Sequence, residues 1–285
     1  MQKTEFSWST PRKIPLYANE WQPEELARAV IILIHGIGEH IGRYEHVAKM
    51  FTDNRYAVIG ADLVGHGKSG GQRGHVDSYD DFLEIIDWLL LEAKTRFPGL
   101  PQFIYGHSLG GNLGLYYSQK RDPQISGLVI TSPGLEPTNV PPLKYALGKI
   151  LYAIYPRFQL TNSIDATGLS RDEAVVKTYT SDPLVHPYVS ARLGLDLINN
   201  GKAIRENSYE FKIPLLLLHG TADRLANISG TREFVSNHSG EFQYVEIVGG
   251  YHELHNEPNR EEIFQIWLNW LEKIVNNGAA LARPD

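Results

Sequence analysis

One serine in this chain stands where it could act as a nucleophile. Gly106-His107-Ser108-Leu109-Gly110 follows the apolar run Phe103-Ile104-Tyr105 and leads through Gly111 into a helical pattern. Between a strand and a helix, Gly-x-Ser-x-Gly forms a nucleophile elbow. The serine is held in a strained corner, with its hydroxyl exposed at the carboxyl end of a sheet. Glycines 106 and 110 leave room for backbone that a Cβ would obstruct. The five-residue pattern also arises by chance in a chain with 26 glycines, so the flanking strand and helix carry the weight.

A serine hydroxyl is barely nucleophilic at neutral pH. It needs an imidazole as base, and the imidazole needs a carboxylate to hold its tautomer and stabilise its cation. Behind this kind of elbow the chain order is serine, acid, histidine. Asp223 qualifies as the acid: it follows the run Leu215-Leu216-Leu217-Leu218, in His219-Gly220-Thr221-Ala222-Asp223-Arg224-Leu225. Its plainer reading is a turn acid that caps the next helix, with Arg224 as partner. Of the 11 histidines, most precede Ser108 or lie inside other elements, and His238 precedes the last strand. That leaves His252 and His255. His252 is preferred as base because Gly249-Gly250 form the tight turn that lets a loop reach the serine. The oxyanion formed on attack needs two backbone N–H donors. The expected pair is Leu109, just after the serine, and Ile37, in His35-Gly36-Ile37-Gly38.

Distant residues meet only if the elements carrying them are ordered correctly. Residues 30–34, 56–61, 103–105, 127–131 and 213–218 are continuous apolar, β-rich runs, the mark of strands buried on both faces. Helical patterns separate them at 44–54, 79–96 and 113–119. The second has Ser78 as its cap and Phe82, Ile85, Ile86 and Leu89 on one face. This alternation predicts an α/β fold, a mostly parallel central sheet with helices on both faces. Residues 5–21 read as an antiparallel edge hairpin, 241–248 as the last strand and 260–276 as a closing amphipathic helix. The rhythm breaks over 135–205, which holds no good strand run and reads as helical and rich in tyrosine. The predicted organisation is a core over 1–134, a helical insertion over 135–205 and the rest of the core over 206–285. Residues 278–285 look frayed and are given no role.

Composition removes several classes. The 285-residue chain has net charge −6, which argues against nucleic acid and gives no general attraction to anionic membranes. It has no cysteine, so disulfides, thiolate nucleophiles and thiolate metal sites are out. No apolar run approaches the roughly 20 residues of a membrane span. Met1-Gln2-Lys3-Thr4-Glu5-Phe6 has no apolar signal core, so a cytoplasmic protein is the default expectation. Gly36-Ile37-Gly38-Glu39-His40-Ile41-Gly42 misses a dinucleotide loop, because its third glycine would fall at Ile41. The stretch 62–69 ends like a phosphate-binding loop but has Asp62 where the first glycine belongs. No metal or cofactor is implied.

Together these motifs resemble the monoacylglycerol lipase and lysophospholipase group of the α/β-hydrolase family. The resemblance rests on His35-Gly36-Ile37-Gly38-Glu39-His40 with Gly42-Arg43-Tyr44, on 62–69, and on 106–111. It rests also on Ser181-Asp182-Pro183-Leu184, on 220–225, and on Tyr251-His252-Glu253-Leu254-His255. It implies the α/β-hydrolase fold with a helical cap over 135–205. It implies Ser108, Asp223 and His252 as triad and the Ile37 and Leu109 amides as oxyanion hole. The implied reaction is hydrolysis of a monoacylglycerol to fatty acid and glycerol through an acyl-enzyme. A lysophospholipid or a short- or medium-chain ester is the alternative substrate. The resemblance further implies that Glu39, Arg43 and His255 border the polar pocket for glycerol; the other reading is a salt-bridged brace for the oxyanion loop. A cysteine that some relatives have near the site is missing here. On the cap, Leu143, Leu147, Ile150, Leu151, Ile154 and Phe158 form one helical stripe, with Tyr145, Ala146, Tyr152 and Tyr155 on other faces. The stripe is expected to line an acyl tunnel, leaving apolar surface for peripheral contact with a membrane or micelle. Two rivals belong to other classes: a non-catalytic ligand receptor on this scaffold, and a nucleotide-binding α/β protein.

Overall fold

A computed structural model describes residues 1–138, 140–161 and 164–281. The apolar runs become strands: β1 (Gln2–Ser9), β2 (Pro15–Gln22), β3 (Ala29–Ile34), β4 (Tyr56–Ala61), β5 (Gln102–His107) and β6 (Gly127–Thr131). Two short strands, β7 (Gln159–Thr161) and β8 (Tyr188–Ser190), pair with each other, and β9 (Glu210–Gly220) and β10 (Ser239–Ile247) follow. The main sheet has eight strands in the order β1-β2-β4-β3-β5-β6-β9-β10. From β4 to β10 every neighbour is parallel, and β2 alone runs against both of its neighbours.

The strand composition follows from burial. Successive side chains on a strand point to opposite faces, so a strand covered on both sides must be apolar at every position. On β3, Val30, Ile32 and Ile34 join one core layer with Phe82 and Ile86 of α2 (Asp80–Arg96) and Leu113 of α3 (Leu109–Arg121). Ala29, Ile31 and Leu33 join the other, with Val47 and Phe51 of α1 (Glu45–Asp53) and Trp267 and Leu271 of α8 (Arg260–Leu281). At the start of α2 the Ser78 hydroxyl accepts from the Asp80 N–H at 3.3 Å. The α8 helix runs past its predicted end at 276 to Leu281; the rest of the tail lies outside the described residues.

Between β6 and β9 come α4 (Pro142–Ile154), α5 (Glu173–Ser181) and α6 (Ala191–Glu206), with β7 and β8 among them; α7 (Ile228–Asn237) separates β9 from β10. The two three-residue strands correct the expectation of no strand in 135–205, because so short a run shows no period of two. Among the described residues, no helix is long and apolar enough to cross a membrane. Because β3, β5, β9 and β10 are parallel, the loops after them emerge at one edge of the sheet. That edge is where open α/β sheets bind ligands.

Candidate active site

The elbow is built by close backbone approach. Ser108, between β5 and α3, has φ 54° and ψ −113°, a left-handed conformation that non-glycine residues seldom adopt. Its N–H donates to Thr131 O at 3.1 Å, and its carbonyl accepts from Asn112 N–H at 2.9 Å and Gly134 N–H at 3.0 Å. A Cβ on Gly106 would lie 2.4 Å from Gly110 O, and one on Gly110 would lie 2.0 Å from Ile34 O. Alanine at either position would push the turn open.

Asp223 and His252 meet across the ends of β9 and β10. The carboxylate is fully buried, and its Oδ2 lies 2.7 Å from His252 Nδ1 and 3.1 Å from His219 Nε2. Its Oδ1 accepts from the Leu225 N–H at 2.8 Å and the Ala226 N–H at 3.0 Å. Burial pushes the Asp223 carboxyl up, but the charge and hydrogen bond of His252 and the bond from His219 outweigh burial and hold it well below the usual range. Burial disfavours the His252 cation, yet the Asp223 charge and hydrogen bond, with Glu253 and Glu39 beyond, raise it above an ordinary histidine. With Nδ1 bonded to an ionised carboxylate, Nε2 is the ring nitrogen left to take a proton. The helix-cap reading of Asp223 does not hold: Asn227 caps α7 by accepting from Ser229 N–H, and Arg224 pairs with Asp165, while Asp223 Oδ1 closes its own turn and Oδ2 faces His252.

The Ile37 and Leu109 amides donate to no acceptor among the described residues. Their loop is held from several sides. Gly36 N–H donates to Glu39 Oε1 at 2.6 Å, and His186 N–H donates to Gly38 O at 2.9 Å. His35 Nε2 accepts from Leu63 N–H at 2.9 Å, so its Nδ1 carries the hydrogen and donates to Gly36 O at 2.7 Å. Full burial keeps His35 neutral, which fixes that tautomer.

Glu39, Arg43 and His255 are not one pocket wall. Arg43 makes a bidentate pair with Glu253 at 2.6 and 2.7 Å, an ion pair with Glu39, and a stacked contact over the Tyr179 ring at 4.7 Å. Tyr44 OH also donates to Glu39 at 2.6 Å. Burial disfavours ionisation of Glu253, but the Arg43 charge and hydrogen bonds hold it at about 2. Of the three, only Glu39 reaches the cavity; Arg43 braces the loops behind it, and His255 is fully buried with Nδ1 3.2 Å from Tyr105 OH. That seclusion also disfavours His255 as base.

A cavity of about 670 Å³ opens over Ser108 and is lined by Ile37, His107 and His252, and by apolar groups such as Leu160, Leu195 and Ile198. The α4 expectation needs correcting. Its contributions to the wall are Lys144, Tyr145 and Gly148, and none of Leu143, Leu147, Ile150, Leu151 or Ile154 lines the cavity. Leu143 is 82% and Ile154 73% exposed, Leu147 and Ile150 are exposed too, and Leu151 is half-buried. The inward face is the one that packs on α6: Gly148 lies against Leu195, where a Cβ would make ordinary contact at 3.9 Å, and Tyr152 OH donates to Asp196 at 2.8 Å. Sequence reasoning also passed over His107. Its ring lies 4.8 Å from that of His252, its Nδ1 is 3.2 Å from Thr131 Oγ1, and burial pushes it down to about 3. The elbow pattern treats that position as free, so no motif marked it.

Known proteins resemble this chain along most of its length. Residues 25–259 match the family described as Hydrolase_4, Serine aminopeptidase, S33. The chain is 32% identical over 272 residues to the monoacylglycerol lipase of Mycolicibacterium smegmatis, covering 94% of this chain and 97% of that protein. It is 34% identical over 272 residues to an uncharacterised abhydrolase domain-containing protein of Dictyostelium discoideum, where the match spans 94% of this chain but 29% of that longer protein. A crystal structure of the monoacylglycerol lipase of Paleococcus ferrophilus is similar at TM-score 0.81 and 33% identity, over 97% of this chain and 99% of that one.

Proposed function

This chain belongs to the serine aminopeptidase S33 family of hydrolases, and from that premise we propose that it hydrolyses monoacylglycerols. In this reading Ser108 attacks the ester carbonyl while His252 Nε2 takes its proton and later gives it to the leaving glycerol. Asp223 holds His252 in the right tautomer and stabilises its cation. The Ile37 and Leu109 N–H groups receive the oxyanion. Water, activated by His252 in turn, releases the fatty acid.

The observation that carries the reading is the 2.7 Å Asp223–His252 bond beside a strained Ser108, both histidine and serine facing one largely apolar cavity. An apolar wall suits an acyl chain, and the similarity to two monoacylglycerol lipases supports glycerol as the head group. A peptidase acting on free N-termini would need a carboxylate open to an ammonium. Of the four carboxylates lining the cavity among the described residues, the buried Glu39 and Glu253 are committed to Arg43, and Glu136 and Asp165 accept from Ser229 and Thr167.

Residues 135–205 are, in this reading, the cap over the site, and the outward stripe Leu143, Leu147, Ile150 and Ile154 rests on a lipid surface. With net charge −6, such contact is hydrophobic rather than electrostatic. The test begins with Ser108→Ala, which should lower kcat on a chromogenic acyl ester by about 10⁶-fold, the scale for removing a triad nucleophile. Wild-type turnover in that variant would end the assignment. A panel of monoacylglycerols, lysophospholipids and short esters then reads the head group. A higher kcat/KM on lysophospholipids would move the activity to that class.

A further inference from the structure

The segment 165–172, between β7 and α5, is bonded to both loops that carry the proposed acid and base. On the acid side, the Arg224 guanidinium donates to Thr167 O and, at 3.1 Å, to Thr167 Oγ1, and it faces Asp165 at 3.7 Å. On the base side, His252 N–H donates to Gly168 O at 3.3 Å and Glu253 N–H to Leu169 O at 2.8 Å. Ser170 Oγ donates to Asn256 O at 2.8 Å. An ion pair between the exposed Arg171 and a buried carboxylate completes the seam. Glu257 is fully buried, and it accepts from Arg171 N–H at 2.8 Å and from Arg171 Nε at 2.6 Å. The same carboxylate accepts from Tyr251 N–H, the residue before His252, at 3.3 Å.

The turn leading to His252 is closed by its own bond from Gly250 N–H to Ile247 O at 3.0 Å, but that bond does not reach His252. Gly249 holds φ +70° with open space where a Cβ would be, and glycine is the residue least restrained by its own sterics. The acid loop anchors its first part, where Ala222 N–H donates to Gly250 O at 3.0 Å and Gly249 N–H donates to Thr221 Oγ1 at 2.8 Å. The anchors of His252 and Glu253 come from 165–172. The amide of His252 itself is held by a carbonyl of that segment, not by its own loop.

We infer that the Arg171–Glu257 pair is a positioning device for His252, so that seating of 165–172 against the core and alignment of the base are one event. This rests on the reading of His252 as base. A seated segment fixes Tyr251 and His252 together, and Nδ1 then stays on Asp223. A lifted segment releases the His252 and Glu253 amides, and the imidazole loses its register with Ser108. Catalytic competence would then follow cap docking without any change in the triad residues.

The experiment compares wild type, Arg171→Ala, Arg171→Lys and Glu257→Gln on a short, water-soluble acyl ester. It records kcat per site titrated with a fluorophosphonate, KM, kcat/KM against pH, and the thermal midpoint. Arg171→Ala should lower kcat per titrated site by about 10- to 100-fold, the scale of a misplacement approaching 1 Å, with KM little changed. The acid limb of kcat/KM should move to lower pH as the imidazole drifts from Asp223, and Arg171→Lys should recover part of both losses. The groups surrounding His252 are Asp223, Glu253, His107, Glu39 and His255, with Arg43 beyond Glu253, and none is altered by these substitutions. If kcat per titrated site and the acid limb stay at wild type while only the thermal midpoint falls, the pair is structural and the inference is overturned. Should Arg171→Ala fail to fold, the isosteric Glu257→Gln decides on the same two readouts. His252→Ala is the control: wild-type turnover there would refute the base assignment itself, whatever Arg171 does.

Discussion

At the scale of single residues, Asp223 shows how one buried side chain does two kinds of work. Oδ1 closes its own turn through Leu225 and Ala226, and Oδ2 faces the imidazoles of His252 and His219. Because the charge on Asp223 favours the His252 cation, the proposed base loses its lone pair at a pH above that of an ordinary histidine, about 6.5. The sign follows: as pH falls through that raised value, His252 becomes protonated and turnover declines. Asp223→Asn removes the charge and leaves an amide that can stabilise the wrong tautomer. It should lower kcat by about 10⁴-fold and move the acid limb of kcat/KM to lower pH, read on a chromogenic ester. An acid limb that does not move would separate Asp223 from the titration.

At the scale of elements, α4 presents its most apolar stripe to solvent. Leu143, Leu147, Ile150 and Ile154 recur at helical spacing, and the helix that carries them borders the mouth of the cavity with Lys144, Tyr145 and Gly148. An exposed stripe of that kind suits insertion of one helix face at a lipid–water boundary. Replacing Leu143, Ile150 and Ile154 together by serine should reduce co-sedimentation with zwitterionic phosphatidylcholine vesicles by about tenfold or more, each lost leucine-sized contact being worth up to about 1.5–3 kcal/mol. Turnover of a water-soluble short ester should stay near wild type, because none of the three lines the cavity. Undiminished vesicle binding would remove α4 as the contact.

At the scale of the whole molecule, a parallel sheet between two apolar layers gives the site a rigid floor. Trp267 is fully buried in one layer, with its ring 6.1 Å from Phe51 and 4.8 Å from Tyr105. Trp267→Ala should cost about 3–5 kcal/mol in a urea titration, while kcat per titrated site on the short ester changes little. A loss below about 1 kcal/mol would mean that the layer collapses readily into the gap. The sequence alone determined the parallel sheet, the edge hairpin and the elbow, since local period and turn chemistry encode them. It also marked Asp223 and His252 as the residues to bring together, because a fold with this elbow dictates their order along the chain. Tertiary structure decided the rest. Which side of α4 faces inward depends on its packing against α6, where Tyr152 bonds Asp196, a contact between distant segments that helical period does not carry. The grip of Glu39, Arg43 and Glu253 on one another, the ring of His107 against His252 and the Arg171–Glu257 seam likewise join residues far apart in the chain. Buried charges find partners through packing, and packing is a property of the folded whole.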